Sequence, residues 1–232
     1  MIEVKGLSHS FRVGKKGRET EVPVLKELSL KAQDGEIVSI VGRSGSGKST
    51  LLHILAGFLQ PDAGRVLVDG ADLTSMNEAQ RAAFRLDRFG FVFQNFQLMP
   101  GLTAFENIEL PLTLKGVPAR ERKRKVEELM ESTGLTAIRG HYPNELSGGQ
   151  QQRVGIARAL ITEPPVIFAD EPTGSLDSET EQDILNLILS LNRKYGITFV
   201  IITHDDEVAA IANRQYRMHD GELTEGGLRH VV

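Results

Sequence analysis

The chain contains no cysteine, so structural disulfides, thiolate metal sites and thiol catalysis are excluded by inventory. Long apolar runs are absent as well. The most apolar stretches, LLHILAGFL from Leu51 and PPVIFA from Pro164, fall far short of the roughly 20 residues that a membrane-spanning helix needs. The opening MIEVKGLSHSF has neither the basic start nor the apolar core of a secretory signal, so a cytosolic N-terminus is expected. Any membrane work would then fall to another chain. Charge of one sign is scarce: the formal net charge of −4 gives no general reason to expect nucleic acid as a partner. Internal repeats and low-complexity tracts are missing too. What is present is ordinary for a folded globular chain, with 40% hydrophobic and 25% charged residues in 232. That length suits one large domain, or a core with a lobe inserted into it.

Short β-branched runs at 2–7, 24–30, 36–41 and 64–68 alternate with turn signals and predict a sheet-rich N-terminal part. The charged, glycine-bearing segment from Gly14 to Thr20 reads as an exposed hairpin loop. After Gly47 the apolar residues Leu51, Leu52, Ile54, Leu55 and Phe58 adopt helical spacing. From 98 to 160 the pattern is mostly helical. Pro118 suits a helix start, Val126, Leu129 and Met130 mark a buried face, and Gly134 suits a stop. Continuous apolar runs at 166–169 and 199–203, with a helix from about Glu179 to Tyr195 between them, predict parallel strands buried on both faces. Asp220-Gly221 is a tight hairpin signal.

Chemistry enters with Gly42-Arg43-Ser44-Gly45-Ser46-Gly47-Lys48-Ser49 and the following Thr50. This is a phosphate-binding loop pattern, after a predicted strand and before a predicted helix. Its glycines let backbone N–H groups face the phosphates, and the helix start adds its positive dipole end. Lys48 is expected on the β- and γ-phosphates of ATP, and the Ser49 hydroxyl on Mg2+. Asp170 and Glu171 end an apolar strand, at the edge where ligands bind in open α/β sheets. Asp170 suits Mg2+, and Glu171 suits the water that attacks the γ-phosphate. Leu146-Ser147-Gly148-Gly149-Gln150 precedes a helix whose expected buried face is Val154, Ala157, Leu160 and Ile161. Ser147 and Gln150 have capping-box spacing, so one reading is a well-capped helix. The other is a second phosphate site at a helix start.

Together the phosphate loop, LSGGQQQR, FADEP and the Thr203-His204-Asp205 triplet resemble the nucleotide-binding domain of ABC transporters over almost the whole chain. The resemblance implies an α/β P-loop NTPase with a RecA-like parallel sheet core, an N-terminal antiparallel β subdomain and an inserted α-helical subdomain. The core would comprise 1–95 and 160–232, and the helical signature lobe 96–159. It further implies a head-to-tail dimer of two copies, with each ATP between one copy's phosphate loop and the other's Ser147, Gly148, Gly149 and Gln150. By the same resemblance Gln94 touches Mg2+, His204 the γ-phosphate, and Asp177 belongs to a loop crossing the dimer interface. Phe11 falls where an aromatic ring stacks on adenine, and its alternative is a core residue. The segment GFVFQNFQLMPGLTAFENIELPL from Gly90 is most similar to ATPases of lipoprotein-release and macrolide-export systems. Ser175, Arg43 and Gly155 depart from the commoner residues at their positions.

The resemblance implies a separate integral membrane permease subunit as partner, no nucleic acid, and a peripheral place at the inner face of the cell membrane. A soluble ATPase of this family acting on DNA or ribosomes stays open at this stage. So does a non-transporting ATPase that signals to a division or regulatory membrane partner. The run KGVPARERKRK from Lys115 reads as a solvated face, because Glu121 interrupts it and Glu127, Glu128 and Glu131 follow. Phe96, Leu98, Met99, Leu102 and Phe105 form either a groove for a helix of the membrane partner or the core of the lobe.

Overall fold

The computed structural model describes residues 1–15 and 18–226. In chain order its elements are β1 (Ile2–Lys15), β2 (Arg18–Ala32), β3 (Ile37–Val41), α1 (Lys48–Leu55), β4 (Ala63–Val68), β5 (Ala71–Asp72), α2 (Glu78–Arg88), β6 (Phe89–Phe93), α3 (Ala104–Leu114), α4 (Ala119–Ser132), α5 (Gly148–Leu160), β7 (Val166–Asp170), α6 (Ser178–Tyr195), β8 (Thr198–Thr203), α7 (Asp206–Ala210), β9 (Arg214–His219) and β10 (Glu222–Glu225). Two compact units divide the chain: residues 1–82 with those from Thr198 onward, and residues 83–197.

In the first unit the N-terminal strands form an antiparallel sheet in the order β2-β1-β4-β5. Ile2 and Val4 of β1 are buried in alternation, and a register irregularity between Val4 and Leu7 brings Leu7 to a buried position as well. Both hairpin strands run further than the apolar pattern announces, and pair as far as Lys15↔Arg18. Beyond Ser10 nearly every residue of this hairpin is exposed. The backbone ladder alone extends it, and such a ladder leaves no hydrophobic signature. Residues 16 and 17 of the expected hairpin loop lie outside the described residues. β3 is buried at every position and lies parallel between β8 and β9, which accounts for its continuous apolar sequence. β10 returns antiparallel on β9. Asp220 and Gly221 take φ of 46° and 81°, the pair of positive values that a tight primed turn demands.

In the second unit β6 and β7 pair in parallel, and Phe89 packs edge-on against Phe168 at 5.0 Å. The helical core gathers Ala104, Ile108, Leu112, Val126, Met130, Leu135, Val154 and Ala157. Pro118 caps the start of α4, and Gly134 follows its end at φ 70°, both as expected. Leu98 and Phe105 pack against this core, whereas Met99 is exposed. The 115–125 run is solvated, with Arg124 paired to Glu128 one turn on at 2.7 Å. α2 was not legible as a helix because none of its residues is buried, and β6 was not singled out as a strand. Among the described residues no helix is long and apolar enough to cross a membrane.

Candidate functional site

The phosphate loop lies in the first unit. β3 ends at Val41, paired with Thr203 of β8, and the Gly42 N–H donates to the Thr203 carbonyl at 3.3 Å. His204 therefore leaves β8 beside the start of the loop, and its side chain is exposed. The glycines answer to distinct constraints. A Cβ at Gly42 would lie 2.4 Å from the Met218 carbonyl oxygen and 2.7 Å from Ser46 Oγ. Gly47 sits at φ 105°, and a Cβ there would meet Val24 O and Leu25 Cδ2 at 3.0 Å. Gly45, at φ 79°, has nothing within 4 Å of its Cβ position. That open space is where a phosphate can approach the backbone.

Lys48 is buried and folds back so that Nζ donates to the carbonyls of Gly42 at 2.6 Å and Arg43 at 3.2 Å. Its amine is thus held inside the loop. Ser46 Oγ is buried with no hydrogen-bond partner, a group that an incoming phosphate oxygen can satisfy. Arg43, Ser44 and Ser49 are exposed, and Thr50 is half-buried. Phe11 belongs to the β1–β2 hairpin, whose Val24 and Leu25 occupy the space a Gly47 side chain would need. Its ring is 41% exposed, which removes the core reading. The ring of buried His9 meets it edge-on at 4.8 Å.

The carboxylates lie in the second unit. Phe93 pairs with Asp170 at the ends of β6 and β7, so Gln94 and Glu171 leave adjacent strands at one edge. Asp170 and Glu171 are half-buried and Gln94 exposed. Glu171 takes φ 47°, a left-handed conformation costly for a non-glycine residue and concentrated at functional sites. The turn is closed by the Gly174 N–H donating to the Glu171 carbonyl at 3.1 Å. Gln94 Nε2 reaches the Gly174 carbonyl at 3.5 Å. A Cβ on Gly174 would sit 2.9 Å from that nitrogen.

At the start of α5 the expected capping box is formed. The Gln150 N–H donates to Ser147 Oγ at 3.3 Å, and the Ser147 N–H donates to Gln150 Oε1 at 2.9 Å. Gly148 and Gly149 also have steric duties, because Cβ atoms there would lie 3.3 Å from Leu176 Cδ2 and 2.5 Å from Thr180 Cγ2. Asp177 caps α6: it accepts from the Thr180 N–H at 2.9 Å and from the Thr180 hydroxyl at 2.8 Å. Those bonds hold its carboxyl below the usual carboxylate range.

Three side chains escaped the sequence reading. Gln152 is fully buried and donates to the Pro172 carbonyl, next to Glu171. Arg158 donates to the carbonyls of Phe96 and Gln97. Buried Asn107 donates to the carbonyls of Met99, Leu102 and Thr103, and accepts from the Met99 N–H. The available signal for Arg158 was a charge set between Ala157 and Ala159 in the apolar half of the helix, whereas Gln152 lies in the polar run Gln150–Arg153 and gave none. α5 buries Gln152, Val154, Gly155, Ile156, Ala157, Ala159 and Leu160, too wide an arc for a one-sided helix.

Each unit carries hard oxygen donors of the kind Mg2+ takes: Ser49 in the first, Asp170 and Gln94 in the second. Among the described residues no cluster of three or more His, Asp or Glu could hold a metal by itself. Mg2+ requires none, since one or two carboxylates, phosphate oxygens and water complete its shell.

A family model described as ABC transporter matches residues 25–174. The chain is 61% identical to the ABC transporter ATP-binding protein YtrE of Bacillus subtilis (strain 168), over 97% of this chain and 98% of that one. It is 44% identical to the lipoprotein-releasing system ATP-binding protein LolD of Bacteroides fragilis, over 96% of this chain and 100% of the relative. With the macrolide export ATP-binding/permease protein MacB of Marinobacter nauticus it shares 48% identity over 97% of this chain, but spans only 34% of that protein. The lipoprotein-release and macrolide-export resemblance is thereby borne out. Among solved structures, a dimeric ATP-binding cassette in a post-hydrolysis state, bound to ADP and Pi, superimposes with a TM-score of 0.89 and 41% identity, over 99% of this chain and 100% of that one. This chain therefore belongs to the ABC transporter family, as an ATP-binding subunit that hydrolyses ATP with Mg2+ as its metal.

Proposed function

We propose that this chain is the motor of a transporter whose membrane-spanning subunit is a separate chain, and that two copies close head-to-tail around two ATP. The observation that carries the ATP chemistry is the loop itself, with Lys48 held on the Gly42 and Arg43 carbonyls and open space beside Gly45. In this reading Lys48 turns to the β- and γ-phosphates, and Gly42 to Thr50 wrap them with backbone N–H groups. Ser49, Gln94 and Asp170 would hold Mg2+, which when bound would supply charge neutralisation at the phosphate oxygens. Glu171 takes the proton of the attacking water, His204 steadies the γ-phosphate, and Phe11 stacks on the adenine. Ser147, Gly148, Gly149 and Gln150 face the ATP of the second copy, with Asp177 in the crossing loop. Residues 1–95 and 160–232 form the ATP core, and 96–159 the lobe that meets the permease. The motor then works peripherally at the cytoplasmic face of the membrane, with no nucleic acid partner. The relatives named for lipoprotein release and for macrolide export support this assignment.

Glu171→Gln tests it. That variant should bind ATP, lose hydrolysis by about 10²–10⁴-fold, and sediment as a dimer with MgATP and as a monomer without it. A strictly monomeric species at high protein concentration with MgATP would refute the sandwich. Failure of the wild-type chain to enrich with any integral membrane protein would refute the transport role.

A further inference from the structure

Arg158 stands where a signature-helix residue has no need of a charge. It lies in the last turn of α5, between buried Ala157 and Ala159, and burial lowers its pKa from the usual value. It remains a cation at neutral pH. Its guanidinium Nη1 donates to the Gln97 carbonyl at 2.6 Å, and Nη2 donates to the Phe96 carbonyl at 2.9 Å.

Both acceptor residues are unusual. Phe96 and Gln97 take φ of 58° and 45°, so two consecutive non-glycine residues occupy left-handed backbone, which a Cβ disfavours. Successive residues of one helical hand turn their carbonyls to the same side, whereas an extended chain alternates them. The planar fork engages both carbonyls in this turn. The turn follows Gln94 directly and is closed by the Phe96 N–H donating to the Phe93 carbonyl at 3.1 Å. The Phe96 ring also runs along α5, its tip 3.6 Å from where a Cβ of Gly148 would stand. One strained turn is thus tied to α5 by two carbonyls near its end and by a ring at its start.

We propose that Arg158 is a positioning residue for Gln94: its two donors hold the left-handed Phe96–Gln97 turn, fixing where Gln94 leaves β6 relative to the Ser147–Gln150 end of α5. The proposal rests on the reading of Gln94 as a Mg2+-contacting residue. Gln152 does the same for the other loop, through the Pro172 carbonyl beside Glu171. The helix that carries the signature segment therefore sets both loops that carry the reacting groups.

The test uses steady-state ATP hydrolysis by the full chain, with thermal melts as a check on folding. Arg158→Met should lower kcat at least tenfold and leave KM for MgATP within about threefold. Gln97→Gly on that background should recover a third or more of the wild-type kcat. Glycine adopts φ near 45° without strain, and the Gln97 side chain it removes is exposed. A merely structural Arg158 would give a lower melting temperature with kcat per folded molecule unchanged, and a loss of kcat that Gln97→Gly does not recover overturns the proposal equally. If Arg158→Met does not fold, Arg158→Lys takes its place: the ammonium keeps the charge but lacks the rigid planar fork, so a smaller loss of kcat with the same rescue is expected. Gln94→Ala separates the two claims. If it leaves kcat unchanged, the reading of Gln94 fails; if it lowers kcat while the Arg158 variants do not, only the positioning proposal fails.

Discussion

Alanine placed singly at Gly42, Gly45 and Gly47 should separate what the phosphate loop owes to packing from what it owes to phosphate. At Gly42 the new methyl meets the Met218 carbonyl at 2.4 Å, a backbone atom that cannot swing aside. Overpacking of this kind costs about 1–3 kcal/mol, or about 2–12 °C of melting temperature for a chain of this size. At Gly47 the same crowding is joined by a φ of 105°, adding about 1–3 kcal/mol of backbone strain, so this variant should be the least stable. Gly45 differs, because its φ of 79° faces open space. The left-handed penalty of about 1–2 kcal/mol is partly offset by about 0.4–1 kcal/mol from a less flexible unfolded chain. Gly45→Ala should therefore melt within about 6 °C of wild type. Its methyl enters the phosphate cradle, however, so MgATP should no longer stabilise it. The wild type at 100 times its dissociation constant should gain about 2.7 kcal/mol. Differential scanning fluorimetry with and without MgATP reads both effects. A Gly45→Ala protein that keeps the full nucleotide-induced shift would refute the cradle, and an undisturbed melt for Gly42→Ala would refute the contact with Met218.

Lys48→Ala should weaken MgATP binding at least tenfold, since a charge-assisted hydrogen bond is worth about 1.5–3 kcal/mol; equilibrium binding of a fluorescent ATP analogue checks this. Asn107→Ala strips a buried amide from three carbonyls and one N–H, and should cost about 1–3 kcal/mol per group left unsatisfied, with a melting temperature lowered by several degrees. Glu106 is held below its ordinary pKa by the backbone N–H and hydroxyl of Thr103, so its contribution to α3 is present above about pH 4.3 and lost as the pH falls through the lower folded value. Thermal melts between about pH 5 and 3 should fall less steeply for Glu106→Gln than for wild type.

The sequence by itself determined the chemistry and most of the elements, because both are encoded locally. Glycines at Gly42, Gly45 and Gly47 before Lys48-Ser49, carboxylates after a strand's worth of apolar residues, and Ser147 three positions before Gln150 are spacings along one backbone. Periodicity likewise announced β3, β7, β8, α4 and α6, whose faces are apolar. It failed for α2, which buries nothing, and for the far half of the β1–β2 hairpin, where the ladder is backbone alone. Tertiary structure decided what depends on distant groups meeting. Gly42 must be glycine because the Met218 carbonyl lies against it. Phe11 is a surface ring and not a core one because its hairpin runs out past the sheet's buried face. Arg158 and Gln152 reach carbonyls 61 and 20 positions away in sequence. A hydrogen bond to a backbone carbonyl asks nothing of the acceptor's side chain. No residue pattern at Phe96, Gln97 or Pro172 could therefore announce that α5 holds them.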